Sequence, residues 1–164
     1  IMYWQGLHLR YVRTLLKSAV NDVVDEIKKL QQENQVNLSN IIVDEDGVGG
    51  GVKDYLRCKG FINNSRALKN ENYQNLKTQC YYKLAEMINK GQIGISCSDV
   101  NVKNFIIEEC EQVRTKDADK DNKLQIVQKD TVKSILGRSP DYSDALAMRM
   151  YYEIDGNFGK YFVQ

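Results

Sequence analysis

The stretch Gly137-Arg-Ser-Pro-Asp-Tyr-Ser-Asp-Ala-Leu-Ala-Met148 predicts the start of a helix that carries two carboxylates. Ser139 suits the N-cap position, because its hydroxyl can accept a hydrogen bond from a free backbone N–H. Pro140, the one proline of the chain, suits the first helical position. Asp141 and Asp144 are three residues apart, so they share one helix face. Apolar residues follow, and we expect this helix to dock on a core.

Composition limits the class of protein. The chain has 164 residues, enough for one domain with a sizeable core. Its 23 Lys and Arg against 22 Asp and Glu give a net charge of +1, so any basic surface has to be local. No apolar run approaches the roughly 20 residues of a membrane span, and we expect no membrane partner. The four cysteines lack metal-ligand spacing, which favours free, mostly buried thiols in a cytoplasmic protein.

The order of apolar and polar segments predicts an α/β fold. An antiparallel hairpin is expected within residues 1–16, around Gln5-Gly6. Apolar side chains recur at helical spacing over residues 18–35 and 73–89, and Ile41-Ile-Val43 is typical of a buried strand. We also predict helices at 52–57, 102–113 and 140–153, a short helix or a turn at 129–136, strands at 93–95 and 124–127, and a polar loop at 58–72.

Asp44 directly follows the predicted strand, where α/β sheets usually build their sites. The glycines of Gly47-Val-Gly-Gly-Gly51 let the backbone pass close to a ligand or to another strand. This loop lacks the lysine and hydroxyl residue of a P-loop and the strict spacing of a dinucleotide motif. Position alone leaves Asp44 open as a functional acid or as a solvated turn residue.

Two further patterns carry charge. Asp117-Ala-Asp-Lys-Asp-Asn122 imitates the opening of a calcium loop, but Asn122 and Gln128 replace the required Gly and Glu, so we expect a solvated turn. Basic residues lead into the last helix, and they favour contacts with a phosphate backbone, with a solvated charged face as the alternative. The residues predicted to contact DNA are Lys129, Lys133, Arg138 and, after the glycine loop, Lys53.

Two segments together resemble the nuclease domain of phage terminase large subunits. Ile41-Ile-Val-Asp-Glu-Asp-Gly-Val-Gly-Gly-Gly-Val-Lys-Asp-Tyr-Leu56 is similar to the strand, acid and glycine loop of that domain. Leu136-Gly-Arg-Ser-Pro-Asp-Tyr-Ser-Asp-Ala-Leu-Ala-Met148 is similar to its closing motif. The resemblance covers nearly the whole chain. It implies an RNase H-like mixed sheet flanked by helices, in one nuclease domain over residues 1–164.

The same resemblance implies a metal-dependent endonuclease that cuts concatemeric DNA. Asp44 matches the acid on a later strand and Asp144 the acid on the last helix, while Asp46 and Asp141 are neighbours that could substitute or assist. Two Mg²⁺ or Mn²⁺ ions about 3.5–4 Å apart would clamp the attacking and leaving oxygens. Carboxylates are the ligands that such hard ions prefer. The implied partners are double-stranded DNA, an upstream packaging ATPase, the portal and the small terminase subunit, in the host cytoplasm of a phage or prophage.

One departure from the family concerns its first acid, which lies on a strand that no segment here matches. No acidic residue precedes Asp22. We therefore expect an N-terminally incomplete domain that lacks its first strand, or a degenerate prophage remnant that lost this acid. The alternative from a different class is a non-catalytic α/β module that binds nucleotides at Gly47–Gly51.

Overall fold

Helices and short strands alternate in the computed structural model, which describes residues 1–46, 49–116 and 122–156. The strands are β1 (Met2–Gln5), β2 (His8–Val12), β3 (Ile42–Asp44), β4 (Lys59–Phe61), β5 (Gly94–Ile95), β6 (Thr115–Lys116) and β7 (Gln125–Ile126). The α-helices are α1 (Val20–Asn34), α2 (Gly49–Leu56), α3 (Leu76–Asn89), α4 (Val100–Gln112), α5 (Lys129–Leu136), α6 (Asp141–Arg149) and α7 (Tyr151–Asp155). The predicted α/β class is confirmed.

The strands of the described residues form three small sheets. β1 and β2 pair antiparallel around the predicted turn, where Gly6 has a φ of +60°. β5 joins β2 in parallel, and β6 pairs antiparallel with β7. β3 pairs in parallel with β4, and Asp44 lies opposite Phe61. The carboxyl ends of β3 and β4 therefore share one edge, and Asp44 lies at that edge.

The prediction of a polar loop over residues 58–72 was wrong for its first part, which forms β4. This strand is only three residues long, and Phe61 is its one apolar residue that packs inward. Phe61 is 1% exposed, and β4 is specified by its pairing with β3 rather than by a pattern of its own. A run this short gives no periodic signal, so local sequence reasoning could not find it.

The main core lies between the β1-β2-β5 sheet and helices α3, α4 and α6. The apolar face predicted for residues 73–89 supplies Leu76, Cys80, Leu84 and Met87, all of which are buried. A second, smaller cluster joins α1 to α2 through buried residues. α2 also contacts β3, so this cluster supports the strand that carries Asp44.

Three other expectations can be compared with the structure. All four cysteines are free; Cys80 and Cys97 are buried, while Cys58 and Cys110 are half-buried. Within the described ranges, no helix is long and apolar enough to cross a membrane. The turn predicted at residues 117–122 lies, apart from Asn122, outside the described residues, as do Gly47 and Val48 of the glycine loop.

Candidate metal centre

Asp144 lies in the first turn of α6, and its carboxylate is the meeting point of three helices. Tyr81 of α3 donates its hydroxyl to Oδ1 at 2.6 Å, and Lys77 Nζ of the same helix lies 2.6 Å from Oδ1. Lys129, the first residue of α5, places its Nζ 2.7 Å from Oδ2. Only 14% of the Asp144 side chain is exposed. Both carboxylate oxygens are therefore held by cationic or hydroxyl donors in a largely buried setting.

The charges around Asp144 keep this carboxylate ionised. Burial alone would raise its pKa, but Lys77, Lys129 and Tyr81 together hold the pKa below its ordinary value. Burial and the nearby charge of Asp144 raise the pKa of Tyr81 well above that of a free phenol, so its hydroxyl stays a donor. Burial opposes the charge of Lys129, but Asp144 and other acids raise the pKa of Lys129 above its usual value.

Asp44 lies at the end of β3 in a second hydrogen-bonded group. Its Oδ1 accepts hydrogen bonds from the backbone N–H of Asp46 at 3.1 Å and from the side-chain amide of Asn63 at 3.0 Å. Asn63 also donates its backbone N–H and its side-chain amide to Asp46 Oδ2, at 2.7 and 2.8 Å. Asn63 thus fixes the two acids relative to each other. Sequence reasoning missed it, because it follows the strand β4 that was not predicted.

Asp44 and Asp144 lie on elements that pack against each other, although they are far apart in sequence. α6 packs against β3, which brings the two acids to the same side of the molecule. Asp144 accepts a hydrogen bond from Lys129, and the charge of Asp44 contributes to raising the pKa of the same lysine.

The other predicted acidic and basic residues lie in different settings. The Asp141 side chain is 78% exposed, and its carboxylate is 3.9 Å from Lys129 Nζ. Lys53 forms an ion pair with Glu45 at 2.6 Å, while Lys133 is exposed on α5. Metal binding by Asp141, and DNA contact by the two lysines, stay predictions.

Arg138 forms part of a partly buried network at the start of α6. Its guanidinium pairs with Glu109 and lies 3.2 Å from Glu108, both on α4, and it stacks 4.3 Å from the centre of the Phe105 ring. Glu109 is fully buried, and its Oε2 accepts the backbone N–H of Ser143 at 2.7 Å. Arg138 therefore helps to position α6 through Glu109. Its predicted contact with DNA stays a prediction.

This network corrects the prediction that Ser139 caps the last helix. α6 begins at Asp141, Pro140 is the residue before it, and no side chain of the capping residue bonds to the backbone. Glu109 satisfies one of the free N–H groups from another helix, so Ser139 is not needed for that purpose. The single helix predicted over 140–153 is also wrong, because α6 and α7 are separated at Met150.

The donor set has the right chemistry for a hard divalent cation, but not a full coordination shell. Asp44, Asp46 and Asp144 offer carboxylate oxygens, which Mg²⁺ and Mn²⁺ prefer. Within residues 1–46, 49–116 and 122–156, however, no group of three or more His, Cys, Asp or Glu side chains is placed to hold a metal ion. A metal that binds here would share the oxygens of Asp144 with the two lysine ammonium groups.

The described part of the predicted glycine loop, Gly49–Gly51, is helical and begins α2, and its first residue has a packing function next to Asp44. A Cβ built on Gly49, the first residue of α2, would lie 1.8 Å from the backbone carbonyl oxygen of Asp44. Real Cβ atoms do not approach backbone that closely, so only glycine lets α2 start against the end of β3. This close approach to the Asp44 backbone is sufficient to require glycine at position 49, and no bound ligand is needed to account for it.

Substituting Gly49→Ala is therefore expected to destabilise the fold by about 1–3 kcal/mol, because the backbone of Asp44 must move. Gly50→Ala is the matched control, since its Cβ would lie 3.4 Å from the Glu45 carbonyl oxygen. In the control, the helix propensity of alanine should leave stability unchanged or raised by about 0.5–1 kcal/mol. Urea unfolding of both variants measures the difference, and equal midpoints would show that Gly49 is not required by packing.

The arrangement defines an α/β protein with the RNase H-like fold found in viral terminase nuclease domains. The chain is similar to the nuclease domain of the large terminase subunit gp2 of bacterial virus Sf6, with a TM-score of 0.73 and 19% identity over 91% of this chain and 80% of that one. A lysine-to-alanine variant of that domain with manganese gives the same TM-score over 81% of its length, at 19% identity and 91% coverage of this chain. The gp2 variant with calcium gives 0.71 at 19% identity, over 91% of this chain and 80% of that one.

No protein-family model matches the sequence, and a search of curated proteins finds no match. The structural likeness at 19% identity establishes the fold. It confirms the RNase H-like class that was expected from the resemblance.

Proposed function

We propose that this chain is the nuclease domain of a viral genome-packaging terminase. In this proposal it is a divalent-metal-dependent endonuclease that cuts concatemeric double-stranded DNA, beside an upstream packaging ATPase, the portal and the small terminase subunit. The observation that carries the proposal is the packing of α6, which carries Asp144, against β3, which ends at Asp44, in a fold shared with the gp2 nuclease domain.

Asp44 and Asp144 would hold the metal, with Asp46 beside them. Bound Mg²⁺ or Mn²⁺ ions, two in the family's pattern, would activate the attacking water and stabilise the charge on the leaving oxygen. Lys77 and Lys129 keep Asp144 ionised within its buried setting, since their charges outweigh the effect of burial on its pKa. Tyr81 holds the carboxylate in one orientation through its 2.6 Å hydrogen bond to Oδ1.

The domain limits belong to the same proposal. Residues 1–164 would form one nuclease domain, to which the family's first strand would add a third carboxylate. This third acid would supply the ligand that the described residues do not offer. A prophage remnant that had lost it would keep the fold and bind metal weakly.

The proposal is tested by titrating Mn²⁺ into the protein in a calorimeter and assaying cleavage of supercoiled plasmid in the same buffer. Asp44→Asn is expected to weaken Mn²⁺ binding at least roughly tenfold, because it removes a charged ligand. The control Asp25→Asn makes the same change at an exposed position of α1 and should alter neither quantity. Nucleotide binding without Mn²⁺ binding would instead support the non-catalytic module.

A further inference from the structure

A polar cleft of about 210 Å³ lies beside Asp144, between the start of α3 and the hairpin formed by β6 and β7. Among the described residues, its lining includes the lysines Lys77, Lys116 and Lys129 and the amide side chains of Gln125 and Gln128, but no Asp or Glu. The wall therefore carries hydrogen-bond donors and, through these three lysines, positive charge, beside the apolar side chains of Ile126 and Val127. Such a lining favours an anion with several oxygen acceptors.

The two walls of the cleft are tied together by backbone hydrogen bonds. The N–H of Gln74 donates to the Leu124 carbonyl at 3.0 Å, and the N–H of Leu124 donates to the Asn72 carbonyl at 2.9 Å. Lys116 is paired with Gln125 across the hairpin, so their side chains lie on the same face. The hairpin is thereby tied to the segment that leads into α3, and Lys116 and Gln125 lie side by side on it.

The cleft adjoins the proposed metal ligand directly. Lys77 and Lys129 line it, and the ammonium groups of both lie within 2.7 Å of Asp144 oxygens. Lys116 is exposed on the other side of the cleft. An anion seated here would be separated from the Asp144 carboxylate by one layer of lysine side chains.

We propose that this cleft binds a backbone phosphate of the DNA strand next to the phosphate that is cut. Lys116 would supply the main charge, and the amides of Gln125 and Gln128 would donate hydrogen bonds to phosphate oxygens. Contacts of this kind set the position of a strand and carry no base sequence. The choice of DNA as ligand rests on the proposed nuclease function, whereas the affinity for phosphate rests on the lysines and amides of the cleft.

The test measures binding of a fluorescent DNA duplex by anisotropy in EDTA, so that no cleavage takes place. Lys116→Gln should raise Kd roughly tenfold at about 50 mM salt and reduce the slope of log K against log salt by about one, as expected for one lost phosphate contact. Gln125→Glu should also weaken binding, because it places a negative charge beside the phosphate. Lys116→Arg should keep the affinity, and Lys29→Gln, an exposed change on α1, should leave Kd and slope unchanged.

The outcomes separate this inference from the proposed function. Suppose that the protein binds Mn²⁺ and cuts plasmid, but that Kd and slope are unchanged in both Lys116→Gln and Gln125→Glu. This result would overturn the proposed phosphate contact in the cleft and would leave the proposed nuclease function standing. If DNA binding is weakened in those variants but the protein neither binds Mn²⁺ nor cuts plasmid, the phosphate contact in the cleft is supported and the proposed nuclease function is overturned. If inorganic phosphate binds the parent and not Lys116→Gln, but neither displaces the duplex nor changes its Kd, the cleft is a site for free phosphate and the assignment to DNA is wrong.

Discussion

In the complete domain, replacing Asp144 by asparagine is expected to lower Mn²⁺-dependent cleavage of plasmid DNA by roughly a thousandfold or more. A catalytic metal contributes several kcal/mol of transition-state stabilisation, and each 1.36 kcal/mol is about a factor of ten in rate. Asp144 is the one carboxylate of the site that two ammonium groups and a phenol hold in place. Asparagine keeps the shape of the side chain and removes its charge, so the loss reports on ligation rather than on packing.

The asparagine variant is preferable to Asp144→Ala because the aspartate also pairs buried groups. Both substitutions remove the anion that Lys77 and Lys129 share, but alanine also removes every side-chain oxygen, so Tyr81 would lose its acceptor as well. A buried donor left without an acceptor destabilises by about 1–3 kcal/mol, which could disturb the site and imitate a catalytic loss. Thermal unfolding of Asp144→Asn should show a smaller change than that of the alanine variant.

The matched control for this experiment is again Asp25→Asn, which changes an exposed aspartate in the middle of α1. It should cut DNA at the parent rate. If folded Asp144→Asn also cuts at the parent rate, Asp144 is not a metal ligand, and the proposed mechanism fails. The pairing of Asp144 with Lys77 and Lys129 would then have to be explained by stability alone.

The parts of the fold that could be predicted are those in which the pattern of apolar residues within one segment is sufficient to identify the element. α3 (Leu76–Asn89) was found because its apolar side chains recur at helical spacing, and the hairpin of β1 and β2 because a glycine turn separates two apolar runs. β4 was missed because its formation depends on pairing with β3, which local spacing does not reveal. The break between α6 and α7 at Met150 likewise has no signal in the apolar pattern.

The residues of the site likewise fall into those that could be predicted from the sequence and those that could not. Asp44 and Asp144 could be singled out because the end of a buried strand and the first turn of a docked helix are recognisable from sequence. Their partners Lys77, Tyr81 and Asn63 could not, because each is an ordinary residue of its own segment and acquires its role only through tertiary contact. Whether Asp44 and Asp144 bind metal stays a prediction that the variants above test.

The largest effect on stability is expected from Glu109→Ala, at about 3–5 kcal/mol. Glu109 is fully buried, pairs with the guanidinium of Arg138 and accepts the N–H of Ser143. Its removal leaves the N–H without its acceptor and the cation without its buried partner. For a chain of this size the loss corresponds to a fall in Tm of roughly 6–20 °C, measured by circular dichroism.

Glu108→Ala is the matched control for this prediction. Glu108 precedes Glu109 on α4 and contacts the same Arg138 at 3.2 Å, but 57% of its side chain is exposed. An exposed pair contributes about 0–1 kcal/mol, so the control should lower Tm by only a few degrees. Because Ser143 directly precedes Asp144, Glu109→Ala should also weaken Mn²⁺ binding, whereas Glu108→Ala should not. Equal losses of stability in the two variants would show that the buried carboxylate does not hold α6, and the position of Asp144 would then depend on α3 and α5 alone.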